Sequence, residues 1–114
     1  MRLPNVENAL IDVRKLTEYI LDTADARGRH KVRVFAAALG FTVENAGELR
    51  TAILKAVPDG ECIIGELDFY GQRYRVDCKI KTETGEAVVR TAWIVRRDEN
   101  FPRMTTCFVR KERR

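Results

Sequence analysis

Four cations and the only histidine of the chain lie together between Arg27 and Arg33. They fall where the apolar pattern predicts a helix to begin. A helix start presents unpaired backbone N–H groups and a partial positive charge, so an anion bound there would also meet Arg29 and Lys31. In that setting His30 is a candidate general base for proton transfer near neutral pH. The plainer interpretation is an exposed histidine on a basic surface.

A second candidate group lies near the end of the chain. Arg90 stands in a run rich in Val, Ala and Trp, and adjacent hydroxyls, Thr105 and Thr106, follow Arg103. A histidine, an arginine and a hydroxyl are what metal-independent phosphodiester cleavage needs. The histidine takes a 2′-hydroxyl proton, the arginine neutralises the phosphorane, and the hydroxyl binds a non-bridging oxygen. Alternatively, Arg90 pairs with a carboxylate on a neighbouring strand, and the threonines are ordinary strand formers.

Other kinds of site are poorly supported by the sequence. Cys62, Cys78 and Cys107 show no CxxC spacing, and their strand-like surroundings predict buried, reduced thiols. With a single histidine and scattered acids, we expect no metal site. A glycine-rich phosphate loop is also missing from the sequence, so we expect no bound cofactor.

Three helices are predicted to precede the strands. The first follows Asp12 as N-cap, and the second runs from the basic cluster to Gly40 after a break around residues 26–28. The third is capped by Thr42 or Asn45 and ends at Pro58. The apolar positions at helical spacing are Val13, Leu16, Tyr19 and Ile20, then Val32, Phe35, Ala36 and Leu39, then Ala46, Leu49, Ile53 and Val57.

From Glu61 onward the apolar period changes from 3.6 to 2, which predicts strands. We place them near residues 61–69, 72–82, 87–97 and 103–110. Because the three links are short, the strands form an antiparallel meander. The order of elements predicts one α+β domain over residues 1–114, with two to three N-terminal helices packed on one face of a four-stranded antiparallel β-meander.

The second strand predicts a sheet with one buried and one wet face. Its apolar side holds Tyr74, Val76, Cys78 and Ile80, and its other side holds Arg73, Arg75, Asp77, Lys79 and Lys81. A turn centred on Thr84 and Gly85 would pair Val76 with Trp93, which places Trp93 in the core. The same turn would set Lys79 beside Arg90, a like-charge contact that a phosphate would relieve.

The register of the last turn decides which threonine lies beside Arg90. If Arg96 pairs with Arg103, Thr105 shares the face of Arg90, and a slip of one residue puts Thr106 there instead. Tyr70, in the first turn of the meander, is a candidate for stacking on a base.

The net charge of +4 is unevenly distributed along the 114 residues. Residues 96–114 hold seven Lys and Arg against three Asp and Glu, and the remainder is balanced at fourteen of each. A basic end is expected of a protein that meets phosphate, or of a merely solubilising tail. No long apolar run or signal-like segment is present, which predicts a cytoplasmic protein without membrane contact.

Several separated motifs resemble one family. LPN and ALID near the start, GRHK, LGFT, YGQRY, VRTAWIV and FPRMTT occur in this order. The chain resembles a bacterial family of unknown function that occurs alone and as the C-terminal tips of polymorphic toxins. Its architecture is similar to the barnase, EndoU, colicin and RelE ribonuclease superfamily.

The resemblance implies a metal-independent endoribonuclease with a cognate inhibitor. It makes His30, Arg90 and Thr105 or Thr106 candidate catalytic residues. Further candidate contacts to RNA are Arg29, Lys31, Tyr70, Arg75, Lys79 and Arg103. Because one histidine supplies no visible acid–base pair, a non-catalytic RNA- or protein-binding module is the alternative. An accessory protein with a separately encoded partner is also compatible with the sequence, and the oligomeric state is open.

Overall fold

The computed structural model describes residues 1–21 and 29–110. Helices precede a four-stranded antiparallel sheet of order β1-β2-β3-β4, which confirms the predicted α+β class. The helices are α1 (Val13–Lys15), continued by a π-helical turn (Leu16–Ile20), α2 (Arg29–Leu39) and α3 (Ala46–Ala56). The strands are β1 (Glu61–Asp68), β2 (Gly71–Lys81), β3 (Glu86–Arg96) and β4 (Pro102–Val109).

The predicted helix boundaries have clear physical causes. The Asp12 carboxylate accepts a hydrogen bond from the backbone N–H of Arg14 at 3.0 Å, as expected of an N-cap. Gly40 ends α2 with a φ of 77°, a conformation that favours glycine. Before α3, the Thr42 N–H donates to the Asn45 side chain at 2.7 Å. The predicted break around residues 26–28, with Arg27, lies outside the described residues, as does the side chain of Tyr19.

One hydrophobic core joins the helices to one face of the sheet. Amphipathic spacing in α2 and α3 turns their apolar stripes toward the alternating apolar side chains of the strands. The buried members include Phe35, Leu39, Leu49 and Ile53 from the helices and Val76, Cys78, Val89 and Trp93 from the sheet. None of the helices within residues 1–21 and 29–110 has the length and apolar character needed to cross a bilayer.

The turn between β2 and β3 is centred one residue earlier than the sequence predicted. Lys81 pairs with Glu86, so residues 82–85 form the loop, and the predicted four-residue link over residues 83–86, centred on Thr84 and Gly85, is wrong by one residue. The Thr82 hydroxyl explains the difference. It accepts from the backbone N–H of Thr84 at 3.2 Å and of Gly85 at 3.4 Å, and it donates to the Leu39 carbonyl at 2.8 Å.

This turn changes the cross-strand partners but preserves the two faces. The register moves by two residues, and side chains alternate with a period of two. Val76 therefore pairs with Thr91, and Trp93 pairs with Tyr74 inside the core. Lys79 lies opposite Val88, so the expected contact between Lys79 and Arg90 is absent.

The pairing of β3 with β4 contains a β-bulge. Trp93 pairs with Met104 and Ala92 with Thr106, which leaves Thr105 as the extra residue. Thr106 rather than Thr105 thus pairs on the face that carries Arg90. The outer edge of β4 is covered by the N-terminal segment, where Leu10 bonds to Pro102 and Met104.

Two buried hydrogen bonds join Trp93, Thr91 and Val76 on the helix side of the sheet. The Trp93 indole N–H donates to the Thr91 hydroxyl at 2.7 Å, and this hydroxyl donates to the Val76 carbonyl at 2.8 Å. Both side chains are fully buried, so neither group has water as an alternative partner. The three cysteines are buried with free thiols, as predicted, and burial raises the pKa of Cys78 to about 11 and that of Cys107 to about 12.

We predict that Thr91→Val lowers the free energy of unfolding by about 1–3 kcal/mol, because it leaves the buried indole N–H without an acceptor. Thr91→Ser keeps the hydroxyl and should cost only about 1 kcal/mol for the lost methyl group. Urea unfolding at neutral pH measures both. Equal destabilisation by the two variants would contradict the role of the hydroxyl.

Candidate nucleic-acid interface

The sheet face turned away from the helices, which we call the open face, is rich in cations. Alternation along the strands brings long charged side chains to this side. Its cations are Arg73, Arg75, Lys79, Lys81, Arg90, Arg96 and Arg103, and its strand carboxylates are Glu61, Asp68, Asp77 and Glu86. Cations outnumber carboxylates, so the open face attracts polyanions.

Asp77 and two arginines form the centre of the open face. Arg90 makes a bidentate pair with Asp77, with Nε to Oδ1 at 2.9 Å and Nη2 to Oδ2 at 3.0 Å. Arg110 adds a bond from Nη1 to Oδ2 at 3.1 Å. The pair is largely shielded, with 24% of the Arg90 and 19% of the Asp77 side chain exposed. This arrangement bears out the plainer interpretation of Arg90, because a carboxylate opposite it is its partner.

The charges of this cluster hold one another in the ionised form. Hydrogen bonds from Arg90 hold the pKa of Asp77 below its usual range, and the charges of Arg90, Arg110 and Arg75 act in the same direction. Burial opposes this effect but is the smaller influence. One carboxylate thus faces several arginines, and the cluster keeps a net positive charge.

The start of α2 reaches the same region across the edge of β4. The Lys31 ammonium lies 4.9 Å from the centroid of the Phe108 ring, a cation–π contact. Phe108 is the cross-strand neighbour of Arg90. Arg29 and His30 are exposed beside Lys31 at the first turn of α2. Through Lys31, the start of α2 therefore contacts the residue that pairs with Arg90 across the strands.

The two threonines occupy different positions. Thr106 lies opposite Ala92, and Ala92 is two residues from Arg90 on the same face of β3. Thr105 sits in the bulge, where its hydroxyl donates to the Ala92 carbonyl at 3.2 Å. Of the two, Thr106 is the better placed to offer a hydroxyl to a ligand on the open face.

The remaining predicted contacts are spread over the sheet. Arg103 is held by a bidentate pair with Glu99 at 2.8 and 2.7 Å, and hydrogen bonds from this guanidinium lower the pKa of Glu99. Lys79 lies 3.5 Å from Glu86, and Arg75 is exposed without a salt bridge among the described residues. Arg75 and Lys79 flank Asp77 along β2.

Tyr70 lies far from the central cluster. It is 66% exposed in the turn between β1 and β2, with its ring edge-on to Phe69. At about 3.3 Å per residue, it is separated from Asp77 by about 23 Å along the strand. The open face therefore has a central cationic cluster and, at one end of the sheet, a separate exposed aromatic turn.

Three residues of the cluster were missed in the sequence, namely Asp77, Phe108 and Arg110. Alternation already placed Asp77 on the wet face, and a turn centred one residue earlier, on Glu83 and Thr84, would have set it opposite Arg90. No comparable signal identified Phe108, because its contact with Lys31 depends on the placement of α2. Among the residues that the structure describes, no group of three His, Cys, Asp or Glu side chains is arranged to hold a metal ion.

The fold and this face define a small α+β protein with an anion-attracting open sheet. The chain belongs to the family described as a domain of unknown function, DUF6883, whose model matches residues 2–111. No curated protein and no solved structure matches the chain.

We predict that Asp77→Asn destabilises the protein by about 1–2 kcal/mol at pH 7, because Arg90 and Arg110 lose their shared charge partner. Since the pKa of Asp77 is lowered in the folded state, its stabilising effect is present above the ordinary value of 3.8 and is lost as pH falls through the folded value. The difference between the two proteins should therefore shrink in acid.

Urea unfolding between pH 2.5 and 7 measures this difference. Asp59→Asn, at an exposed position in the turn after α3, is the matched control and should follow the wild type throughout. A stability gap for Asp77→Asn that does not change with pH would contradict the assignment.

Proposed function

We propose that this protein binds single-stranded RNA across the open face. The observation that carries the proposal is the arrangement at Phe108, an aromatic ring contacted by Lys31 and paired with Arg90 on a cation-rich sheet. Sheets that bind single strands combine cations along the phosphate backbone with aromatic rings that stack on bases. In this proposal Arg75 and Lys79 contact phosphates, and a base stacks at Phe108.

The Asp77 cluster is compatible with phosphate binding because Asp77 has two arginine partners. A phosphate that draws Arg90 away leaves the carboxylate bonded to Arg110, so no bare buried charge results. Arg75, which makes no salt bridge within the described part of the chain, is available to an incoming anion at lower cost. The open face thus offers Arg75, which has no salt bridge within the described residues, and Arg90, which can exchange Asp77 for a phosphate.

We expect the double variant Arg75→Ala, Lys79→Ala to weaken binding of a fluorescent single-stranded RNA of about 15 nucleotides. Each lost phosphate contact should reduce the dependence of log K on log salt by roughly 0.7. Fluorescence anisotropy over a salt series measures both quantities. The control Arg50→Ala, Lys55→Ala removes the same charge from exposed positions of α3 in the helical layer. Equal losses in the two variants would contradict binding at the open face.

A second candidate function is metal-independent endoribonuclease activity of the toxin type. The contact between Lys31 and Phe108 favours it, because it brings the first turn of α2, with His30, to the cluster that contains Arg90. His30 would take the 2′-hydroxyl proton as the 2′-oxygen bonds to phosphorus. The bond from phosphorus to the 5′-oxygen breaks, and this oxygen takes a proton from water. Arg90 and Lys31 would stabilise the phosphorane, and Thr106 would bind a non-bridging oxygen.

If this activity exists, wild-type protein in EDTA cleaves RNA to products with 2′,3′-cyclic phosphate and 5′-hydroxyl ends. His30→Ala should reduce the rate by about 100-fold or more while RNA affinity changes less than about twofold. Gel analysis with end-group mapping provides the rate, and Arg33→Ala serves as the neighbouring control. Cleavage at the same rate by wild type and His30→Ala would contradict the role of His30, and cleavage by neither while both bind RNA leaves binding alone as the function.

A further inference from the structure

Exposed apolar side chains gather on β1 and on the turn that follows it. Leu67 is 71% and Phe69 81% exposed. Contiguous exposed apolar residues of this kind mark interaction sites more often than scattered ones do. The members of this group, which we call the β1 patch, are Ile63, Ile64, Leu67, Phe69 and Tyr70.

The β1 patch lies on an edge of the sheet that the described residues cover only at the start of β1. The opposite edge, β4, is bonded to the N-terminal segment at Leu10. On β1, the Cys62 N–H donates to the Met1 carbonyl at 3.2 Å, so the peptide groups of Cys62 point away from β2. Because directions alternate in an antiparallel pair, the N–H and C=O of Ile64 also point outward. Within residues 1–21 and 29–110, this further pairing begins at Cys62 and does not continue to Ile64.

The irregular part of β1 is stabilised from within the sheet. Register shifts between Ile64 and Leu67, and the Gln72 side chain donates to the carbonyls of Gly65 at 2.9 Å and Glu66 at 3.2 Å. This bulge limits how far a regular ladder extends along the edge. The edge is suited to one short extended segment beside Ile63 and Ile64, rather than to a long strand.

The charges of β1 indicate what kind of segment fits. Strand β1 contains Glu61, Glu66 and Asp68 and no Lys, Arg or His. Asp68 is paired with Arg73 at 2.6 Å, whereas Glu61 and Glu66 are exposed. In a pairing between two copies, acidic side chains from both strands would share one ladder without a cation in either strand, which is unfavourable. A basic segment has the complementary charge.

We propose that an extended segment of a partner protein, in which apolar residues alternate with Lys or Arg, adds to the outer edge of β1. Its backbone bonds to the outward N–H and C=O of Ile64, and its apolar side chains lie on the same face as Ile64 and cover it. A Lys or Arg of the segment lies beside Glu66. Ile63, opposite Arg75, borders the open face, but the segment bonds to the edge peptide groups of Ile64, so the proposal does not rest on RNA binding.

Synthetic peptides test the proposal on the full chain. Three fluorescent peptides of about nine residues are compared by anisotropy: one alternating Lys and Val, one alternating Glu and Val, and the Lys and Val peptide with N-methylated valines, which cannot donate the ladder bonds. The basic peptide should bind at least about tenfold more tightly than either of the others.

Charge reversal assigns the binding to β1. Glu66→Lys should abolish the preference for the basic peptide, whereas Glu48→Lys, an exposed glutamate on α3, should preserve it. Similar binding of all three peptides, binding by none, or an equal effect of the two charge reversals would overturn the proposal. So would a concentration-dependent dimer in sedimentation that Ile64→Lys abolishes, since the occupant would then be a second copy of the chain.

Discussion

The pairing of β2 with β3 is the contact on which both the core and the charged surface depend. It runs without interruption from Gly71 opposite Arg96 to Lys81 opposite Glu86. Since neighbouring side chains on paired strands share a face, this one register sends Val76 and Trp93 to the helices and Asp77 and Arg90 to the other side. A shift by a single residue would bury arginines against α2 and α3, so the register is strongly specified by the cost of burying charge.

The turn that sets this register is also a contact between the sheet and the helices. Thr82 organises the backbone of residues 82–85 and at the same time donates to the carbonyl of Leu39 at the end of α2. The same hydroxyl thus satisfies a helix-end carbonyl that would otherwise need another donor. Gly40 allows this approach, because a Cβ atom at this position would lie 2.5 Å from the hydroxyl oxygen of Thr84, which belongs to the same loop as Thr82. The position of α2 relative to the sheet, and with it the approach of Lys31 to Phe108, follows from these contacts.

The sequence pattern predicted the face of the sheet on which each side chain lies much better than it predicted which residues pair across neighbouring strands. The alternation of β2 was sufficient to separate Val76 and Cys78 from Arg75 and Asp77, because a side chain's face depends only on whether its position is odd or even. Partners depend on where the turn is centred, and here a threonine hydroxyl, which has no strong sequence signature, moves the centre by one residue. The bulge at Thr105 was missed for a similar reason, because one extra residue in a strand leaves no signal in the composition of that strand. The contact between Lys31 and Phe108 joins residues far apart in the chain, so no local pattern contains it.

The distribution of charge gives the two proposed surfaces different partners. The open face concentrates cations around one shielded carboxylate, whereas the β1 edge carries carboxylates without a cation of its own. Arg73 marks the boundary, because it belongs to the open face and neutralises Asp68 at the end of β1. In the proposed complex, an RNA backbone is attracted over β2, β3 and β4 and repelled at Glu61 and Glu66. The β1 edge then stays available to a basic protein segment while the open face is occupied, because the two ligands carry opposite charges and the segment bonds to the edge peptide groups of Ile64 rather than to the sheet face.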